Sequence, residues 1–353
     1  IVILAISFFV RGVSGSIKLY LGEARDEKIL PNVISTARFI WLVSLIYLIL
    51  GTLILGICGI FIGMKPFVAF FHGLCIFMAG FDTGGFTPQS LGIMYYRSPI
   101  YEFFTLVIML LGAFNFRLHY SLWTGNLRSI YRDIESKTFF FSCIGLFLLC
   151  LLGLKDTGVY PQALSLFRKG AYILLSAHTG CGYQNIYPQE FLFVWKEFSL
   201  IAVILAMSLG GAVCSTTGAI KVLRVGILFK ALRQDIKRFV LPRRAIFTEK
   251  FYHFREIFLE DRLVRSSLLI ILCYIALYLI GALVGVFLGY PFLSSLFEST
   301  SAGANVGLSC GITDPGMPWI LKIVYILQMW IGRLEFISIF GLVGFVVSFF
   351  KGE

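Results

Sequence analysis

Between Arg38 and Lys65 the chain carries no charged residue, and between Arg265 and Glu298 it again carries none. Each uncharged stretch exceeds the ~20 apolar residues that a helix needs to cross the hydrocarbon core of a bilayer. Lipid offers no partner to a backbone N–H or C=O, so such stretches are expected to fold as helices that satisfy their own backbone. Composition points the same way. The 353 residues are 58% hydrophobic and 14% charged, with mean hydropathy +0.87, whereas a soluble domain is about half apolar and about a quarter charged. The expected fold class is an all-α polytopic membrane protein.

The net charge of +11 does not indicate nucleic acid, because the basic residues gather between apolar segments, where they set orientation in the bilayer. Eight cysteines (58, 75, 143, 150, 181, 214, 273 and 310) lie mostly in apolar surroundings. Without a CxxC pair or ligand-spaced histidines they indicate neither a disulfide framework nor a zinc site, and no cofactor is expected.

A short pattern recurs three times. Ala79-Gly80-Phe81-Asp82-Thr83-Gly84-Gly85-Phe86, Ser176-Ala177-His178-Thr179-Gly180-Cys181-Gly182-Tyr183 and Ser301-Ala302-Gly303-Ala304-Asn305-Val306-Gly307-Leu308 each begin with two small residues and end on glycine followed by an aromatic residue or Leu. Each follows a short apolar stretch opened by a proline (Pro66, Pro161, Pro291) and lies between longer apolar segments. The short stretches cannot cross a membrane and are expected to be re-entrant helices. The unit recurs at roughly 100 to 125 residues, longer than solenoid periods.

In chain order, residues 1–10 read as the end of an outer helix from an incomplete first repeat, and 11–38 as a cytoplasmic linker. A second repeat spans 39–118 with its loop at 82–86, and a cytoplasmic loop follows at 119–137. The third repeat spans 138–225 with its loop at 179–183. Within it, LAMSLGGAVCSTTGAIKVLRV interrupts the apolar run at 210–218. Two readings stand: a small-residue helix-packing face, and a broken helix, which is tolerated only if buried in protein or lining a wet cavity. Residues 226–265 form a basic cytoplasmic segment, suited either to an anionic lipid surface or to a docked partner. The fourth repeat, 266–353, has its loop at 304–308. All three loops are expected on the outer half of the membrane, so three complete units and the end of another surround one pore.

Such a loop has a specific use. A cation that sheds its hydration shell needs oxygens in its place, and rings of backbone carbonyls supply them without a fixed charge. Glycine lets successive carbonyls face one axis. A helix ending at the loop aims the negative end of its dipole at the path, which favours cations. Arg333 and Glu335 sit in the middle of the last apolar segment, where charge marks a functional or a paired site. Arg333 is either an electrostatic barrier facing the pore or half of a buried pair with Glu335. Glu298 is positioned to brace the fourth repeat's loop, and Asp82 either adds field strength to the ion path or caps its turn. His178 with Cys181, and His72 with Asp82, have the composition of enzyme pairs, but neither pair is copied in the other repeats, so no enzyme is expected. A secondary transporter built on broken helices is the alternative, and an inactive remnant lacking a first loop is another.

Four stretches, TGGF at 83–86, GGAVCSTTGAIKVLRV at 210–225, FESTSAGANVGLS at 297–309 and IGR at 331–333, resemble the TrkH/KtrB-type potassium uptake family, ion-conducting subunits related to plant HKT transporters. The resemblance covers nearly the whole chain. It implies four helix–pore helix–helix repeats around one potassium path in the inner membrane, with potassium as transported ion. Its filter residues would be Thr83, Gly84 and Gly85, Gly180, Cys181 and Gly182, and Asn305, Val306 and Gly307. Its intramembrane gating loop would comprise Gly210, Gly211, Ser215, Thr216, Thr217 and Gly218, with Arg333 close by. It also implies a homodimer and a cytosolic nucleotide-binding regulatory subunit of the TrkA/KtrA kind, docked on the basic loops. Two departures are visible. The family's first filter is absent, so the chain is expected to be a fragment of a longer protein, and potassium over sodium preference stays open. Glu335 stands where the family usually has a small residue.

Overall fold

The computed structural model describes residues 33–155, 162–242 and 247–351; the expectations for 1–10 and most of 11–38 lie outside them. Helix α1 (Val33–Phe61) turns at Gly63 into the short helix α2 (Pro66–Phe81), followed by a 3-10 turn over Gly92–Tyr96 and α3 (Pro99–Ala113). The prolines stand at the first helical positions of α2 and α3, where the missing N–H costs nothing. Glycines let α1 and α2 touch closely. A Cβ on Gly73 would lie 3.0 Å from the Gly56 nitrogen, and one on Gly51 would strike the Phe77 ring.

The last stretch of the second repeat, 99–118, is divided between two helices. α3 ends at Ala113 and α4 (Phe116–Trp123) departs at 104°. Asn115 starts the second helix by accepting the Arg117 N–H at 2.8 Å, and its backbone turns away from the α3 axis. After α5 (Arg128–Arg132), the third unit comprises α6 (Ile134–Lys155), α7 (Ala163–His178), the single turn α8 (Pro188–Phe193) and α9 (Glu197–Ser208).

The apolar run from 196 does break. Beyond α9, residues 209–221 form an irregular loop before α10 (Val222–Val240), and Leu209 and Ile220 form a parallel bridge at its neck. The continuous packing face is therefore not the structure adopted.

The basic segment is not wholly helical. A two-stranded antiparallel hairpin, β1 (Lys250–His253) and β2 (Arg255–Phe258), turns at Phe254. It leans on α10 through Glu249, which accepts from Lys237 at 3.1 Å and lies 3.2 Å from Arg233. The fourth unit is α11 (Asp261–Phe287), α12 (Phe292–Ala304) and α13 (Trp319–Lys351).

Among the described residues three helices are long and apolar enough to cross a membrane, Ser35–Phe61, Ile134–Lys155 and Asp261–Phe287, with the bent pair a fourth candidate. Their outward faces carry large exposed apolar residues such as Trp41, Leu45, Ile49, Leu268 and Leu272. That is the pattern of a surface solvated by lipid. The buried core lies inward, where α2, α7 and α12 are enclosed.

Candidate functional site

The three short helices end in one local geometry. In the first, Gly84 N–H donates to Ala79 O at 2.7 Å; in the second, Cys181 N–H donates to Ser176 O at 3.1 Å; in the third, Val306 N–H donates to Ser301 O at 2.9 Å. Each loop then takes left-handed backbone at two alternate positions. The first set is Thr83 (φ 54°), Gly180 (φ 68°) and Asn305 (φ 58°); the second is Gly85 (φ 68°), Gly182 (φ 83°) and Gly307 (φ 89°). Alternation of this kind is what lets successive carbonyls face one side. Glycine takes this conformation freely and Asn tolerates it, but a β-branched Thr83 is strained there.

The second glycine also makes room for the next loop. A Cβ on Gly85 would lie 2.1 Å from Cys181 O, and one on Gly182 would lie 1.9 Å from Val306 O. The first loop therefore abuts the second and the second abuts the third, backbone against backbone. One aromatic wedge supports these loops: Tyr183 OH donates to Ile76 O at 2.8 Å and its ring is buried, whereas Phe86 at the same place in the first loop is exposed. The Thr83 hydroxyl, 4% exposed, has no hydrogen-bond partner among the described residues.

Glu298 is the brace of the last loop. Its Oε1 accepts from Ser309 Oγ at 2.7 Å, Cys310 N at 2.9 Å and Ile312 N at 3.3 Å, and its Oε2 accepts from Thr313 Oγ1 at 2.6 Å. Ser301 Oγ accepts the Gly307 N–H at 3.1 Å, tying the loop to its own helix. Asp82 is exposed at the end of α2, with no capping role for its side chain among the described contacts.

The interrupted helix lies against these loops. A Cβ on Gly218 would be 2.4 Å from Ala304 O, and one on Gly180 would be 3.8 Å from Thr217 Cβ. Gly211 N–H donates to Thr217 Oγ1 at 3.0 Å, Ser215 Oγ lies 2.9 Å from the same oxygen, and buried Lys221 donates to both Thr217 oxygens. Thr216 reaches sideways: its Oγ1 donates within 3.0 Å of both Phe81 O and Gly112 O, and Ala212 N–H donates to Ala113 O at 2.9 Å. Gly210 packs on Gly218, where its Cβ would lie 2.1 Å from the Gly218 oxygen. Arg333 donates from Nη1 to Thr216 O at 2.6 Å. The Glu335 side chain lies outside the described residues.

All the residues singled out from the repeated motif and the glycine-rich break thus meet in one region. Two contributors carry no motif: the α3 carbonyls of Gly112 and Ala113, and Glu135, whose Oε1 accepts Val213 N–H at 2.7 Å. The broken run pointed to a loop there, but its partners come from distant segments. Among the described residues, neither enzyme-like pair is joined by a hydrogen bond. His178 Nε2 lies 2.7 Å from Ser142 Oγ and its ring meets Phe139 edge-on, Cys181 Sγ faces Ala79 O and Gly80 O, and His72 Nδ1 lies 2.7 Å from Tyr96 OH.

The sequence model of TrkH, described as "Cation transport protein", matches residues 1–347. An uncharacterized cation transporter of Methanocaldococcus jannaschii is 32% identical over 99% of this chain and 68% of its own length. The Trk system potassium uptake protein TrkH of Escherichia coli K12 is 27% identical over 99% of this chain and 71% of its own. Similarity extends to shape: the crystal structure of the potassium transporter TrkH from Vibrio parahaemolyticus, 24% identical, covers 97% of this chain and 69% of that one with a TM-score of 0.74. A family match along nearly the entire sequence, together with the same fold in a solved relative, makes this multi-pass membrane chain a member of the TrkH family of cation transport proteins.

Proposed function

We propose that the chain conducts potassium across the inner membrane through a carbonyl-lined filter. In this reading Thr83–Gly85, Gly180–Gly182 and Asn305–Gly307 form three sides of the filter, and residues 210–218 with Arg333 are its gate. The observation that carries it is the contact of Gly85 with Cys181 O and of Gly182 with Val306 O. Loops abutting in this way put repeated left-handed turns side by side, as a ring of carbonyls around an ion requires. The ends of α2, α7 and α12 add the negative ends of their dipoles. Naming of the Escherichia coli relative as a potassium uptake protein supports potassium as the ion; sodium is the competing substrate.

The gate reading rests on the position of residues 209–221 against Ala304 and Gly180, and on the bond from Arg333 to Thr216 O. A homodimer and a cytosolic nucleotide-binding regulatory subunit belong to the same proposal. The exposed basic face of α10 and the hairpin, with Arg233, Arg238, Lys250 and Arg255 exposed, supplies a docking surface of fitting charge.

Rubidium and sodium uptake by cells lacking their own potassium uptake systems tests the reading on the native-length gene. Gly182→Ser is expected to abolish rubidium preference, because its Cβ would occupy the Val306 carbonyl at φ 83°. Gly125→Ser, at φ 79° with nothing within 4 Å, strains its backbone comparably and is expected to keep the preference. Unchanged selectivity in Gly182→Ser would refute the filter.

A further inference from the structure

The start of α6, the intramembrane loop and the cytoplasmic hairpin are far apart in sequence but meet at one buried cluster. Asp133 Oδ2 accepts Ser136 N–H at 3.1 Å, capping α6, while its Oδ1 lies 2.9 Å from His253 Nδ1 at the hairpin end. Two residues on, Glu135 holds the gate loop through Val213 N–H at 2.7 Å. Asp133 and Glu135 are each 2% exposed and His253 is 6% exposed. One donor atom from each lies within 4.8 Å of the other two. Beside them is a cavity of ≈ 10 Å³, lined in part by Asn115, Asp133, Glu135 and Ser136, about the space taken by one water molecule. The hairpin turn is held in place from the other side, where the Arg117 guanidinium lies 4.6 Å over the Phe254 ring.

We propose that Asp133, Glu135 and His253 bind a divalent transition-metal cation of the zinc class, which fastens the hairpin to the gate loop and slows conduction. Asp133 Oδ1 and His253 Nδ1 stand 2.9 Å apart around a single proton, and a divalent cation can take that proton's place between them with Glu135 as third ligand. One nitrogen and two oxygens form a three-ligand set that leaves a coordination position open. Calcium and magnesium want six or more oxygens or several retained waters, which this closed site does not supply. Zinc distances of about 2.0–2.2 Å in a tetrahedral set place ligand atoms roughly 3.4 Å apart, so Asp133 Oδ1 and His253 Nδ1, 2.9 Å apart, separate slightly as the ion replaces their shared proton. A carboxylate can ligate with one oxygen while the other keeps its N–H donor, so the ion and the Val213 bond are compatible. Ligand spacing along the sequence gave no hint of this, because 120 residues separate Asp133 from His253.

The site is independent of the filter, but the flux effect rests on the gate reading, so binding and flux are measured separately. Purified native-length protein is titrated with Co²⁺ as optical probe and Zn²⁺ as competitor. The expected result is one Co²⁺ per chain with the absorption of a nitrogen–oxygen site, displaced by Zn²⁺. Affinity should fall by about 100-fold in His253→Gln and at least about tenfold in Asp133→Asn, whose side chain still caps α6. In proteoliposomes, Zn²⁺ on the hairpin side should slow rubidium flux in the native protein and in neither variant. Absence of stoichiometric Co²⁺ binding by the native protein, or equal binding by a folded variant, overturns the proposal and leaves a purely structural clasp. Binding that depends on His253 without any Zn²⁺ effect on flux keeps the metal site and overturns its coupling to the gate.

Discussion

Glu298 shows how one side chain can fix the shape of a loop it does not belong to. Its carboxylate, 3% exposed, accepts four hydrogen bonds from residues 309–313, just past the left-handed Gly307. Glutamine would keep the volume but replace one accepting oxygen with an N–H₂ donor facing other donors. Glu298→Gln is therefore expected to cost about 1–3 kcal/mol, the penalty for unsatisfied buried polar groups. Thermal unfolding in detergent would read this loss, and the ratio of rubidium to sodium uptake should fall with it. A variant of native stability and native ratio would show that the brace is dispensable. The same scale explains part of what sequence could and could not reveal. Gly85, Gly182 and Gly307 were legible because a required positive φ leaves glycine as its trace. Thr83 was not legible as a strained residue, since a threonine at φ 54° leaves no mark in composition.

Among the elements, the loop 209–221 depends on contacts it does not make with itself. Arg333 joins it to α13 through Thr216 O. Removing that donor frees the loop on one side while Thr216 Oγ1 keeps its two carbonyl acceptors. Arg333→Ala is thus expected to raise rubidium flux several-fold, by about 1 kcal/mol of lost restraint, without loss of expression. Lower expression with unchanged flux per molecule would assign Arg333 to packing instead. The broken span was half legible. Gly210, Gly211 and Ser215 to Gly218 announced an interruption. The bend between α3 and α4 did not announce itself, because no proline falls in GAFNF and the acceptors it exposes are used by residues about one hundred positions later.

Across the whole molecule, the repeats are joined by polar clasps set in apolar surroundings. Glu102 on α3 receives a two-pronged hydrogen bond from Arg168 on α7, at 2.8 and 3.0 Å, and a third from Asn185 at 3.3 Å. Thr105 and Tyr172 meet 2.9 Å apart on the same interface. Glu102 is 5% exposed but the Arg168 side chain is 39% exposed, so the two partners are unequal. Arg168→Ala strands a buried carboxylate and should destabilise the protein by about 2 kcal/mol or more, whereas Glu102→Gln leaves an arginine that can turn to solvent and should cost about 1 kcal/mol. Melting temperatures of the two variants check the order, and the reverse order would contradict the account. The recurrence of a short helix ending in a glycine loop was readable from the three proline-opened stretches. Which repeat touches which was not, since those contacts are made by single residues whose partners lie in other repeats.

The 104° turn between α3 and α4 has a consequence for how such a protein can change. Ending α3 at Ala113 leaves the Gly112 and Ala113 oxygens without donors of their own helix, and the amides of Ala212 and Thr216, released where the second helix is cut, bind to them. Two defects in the scaffold thus cancel each other across the interior. Straightening either one alone would leave buried polar backbone of the other without its partner. The two breaks therefore act as one joint, and a change that straightens one removes hydrogen bonds from both.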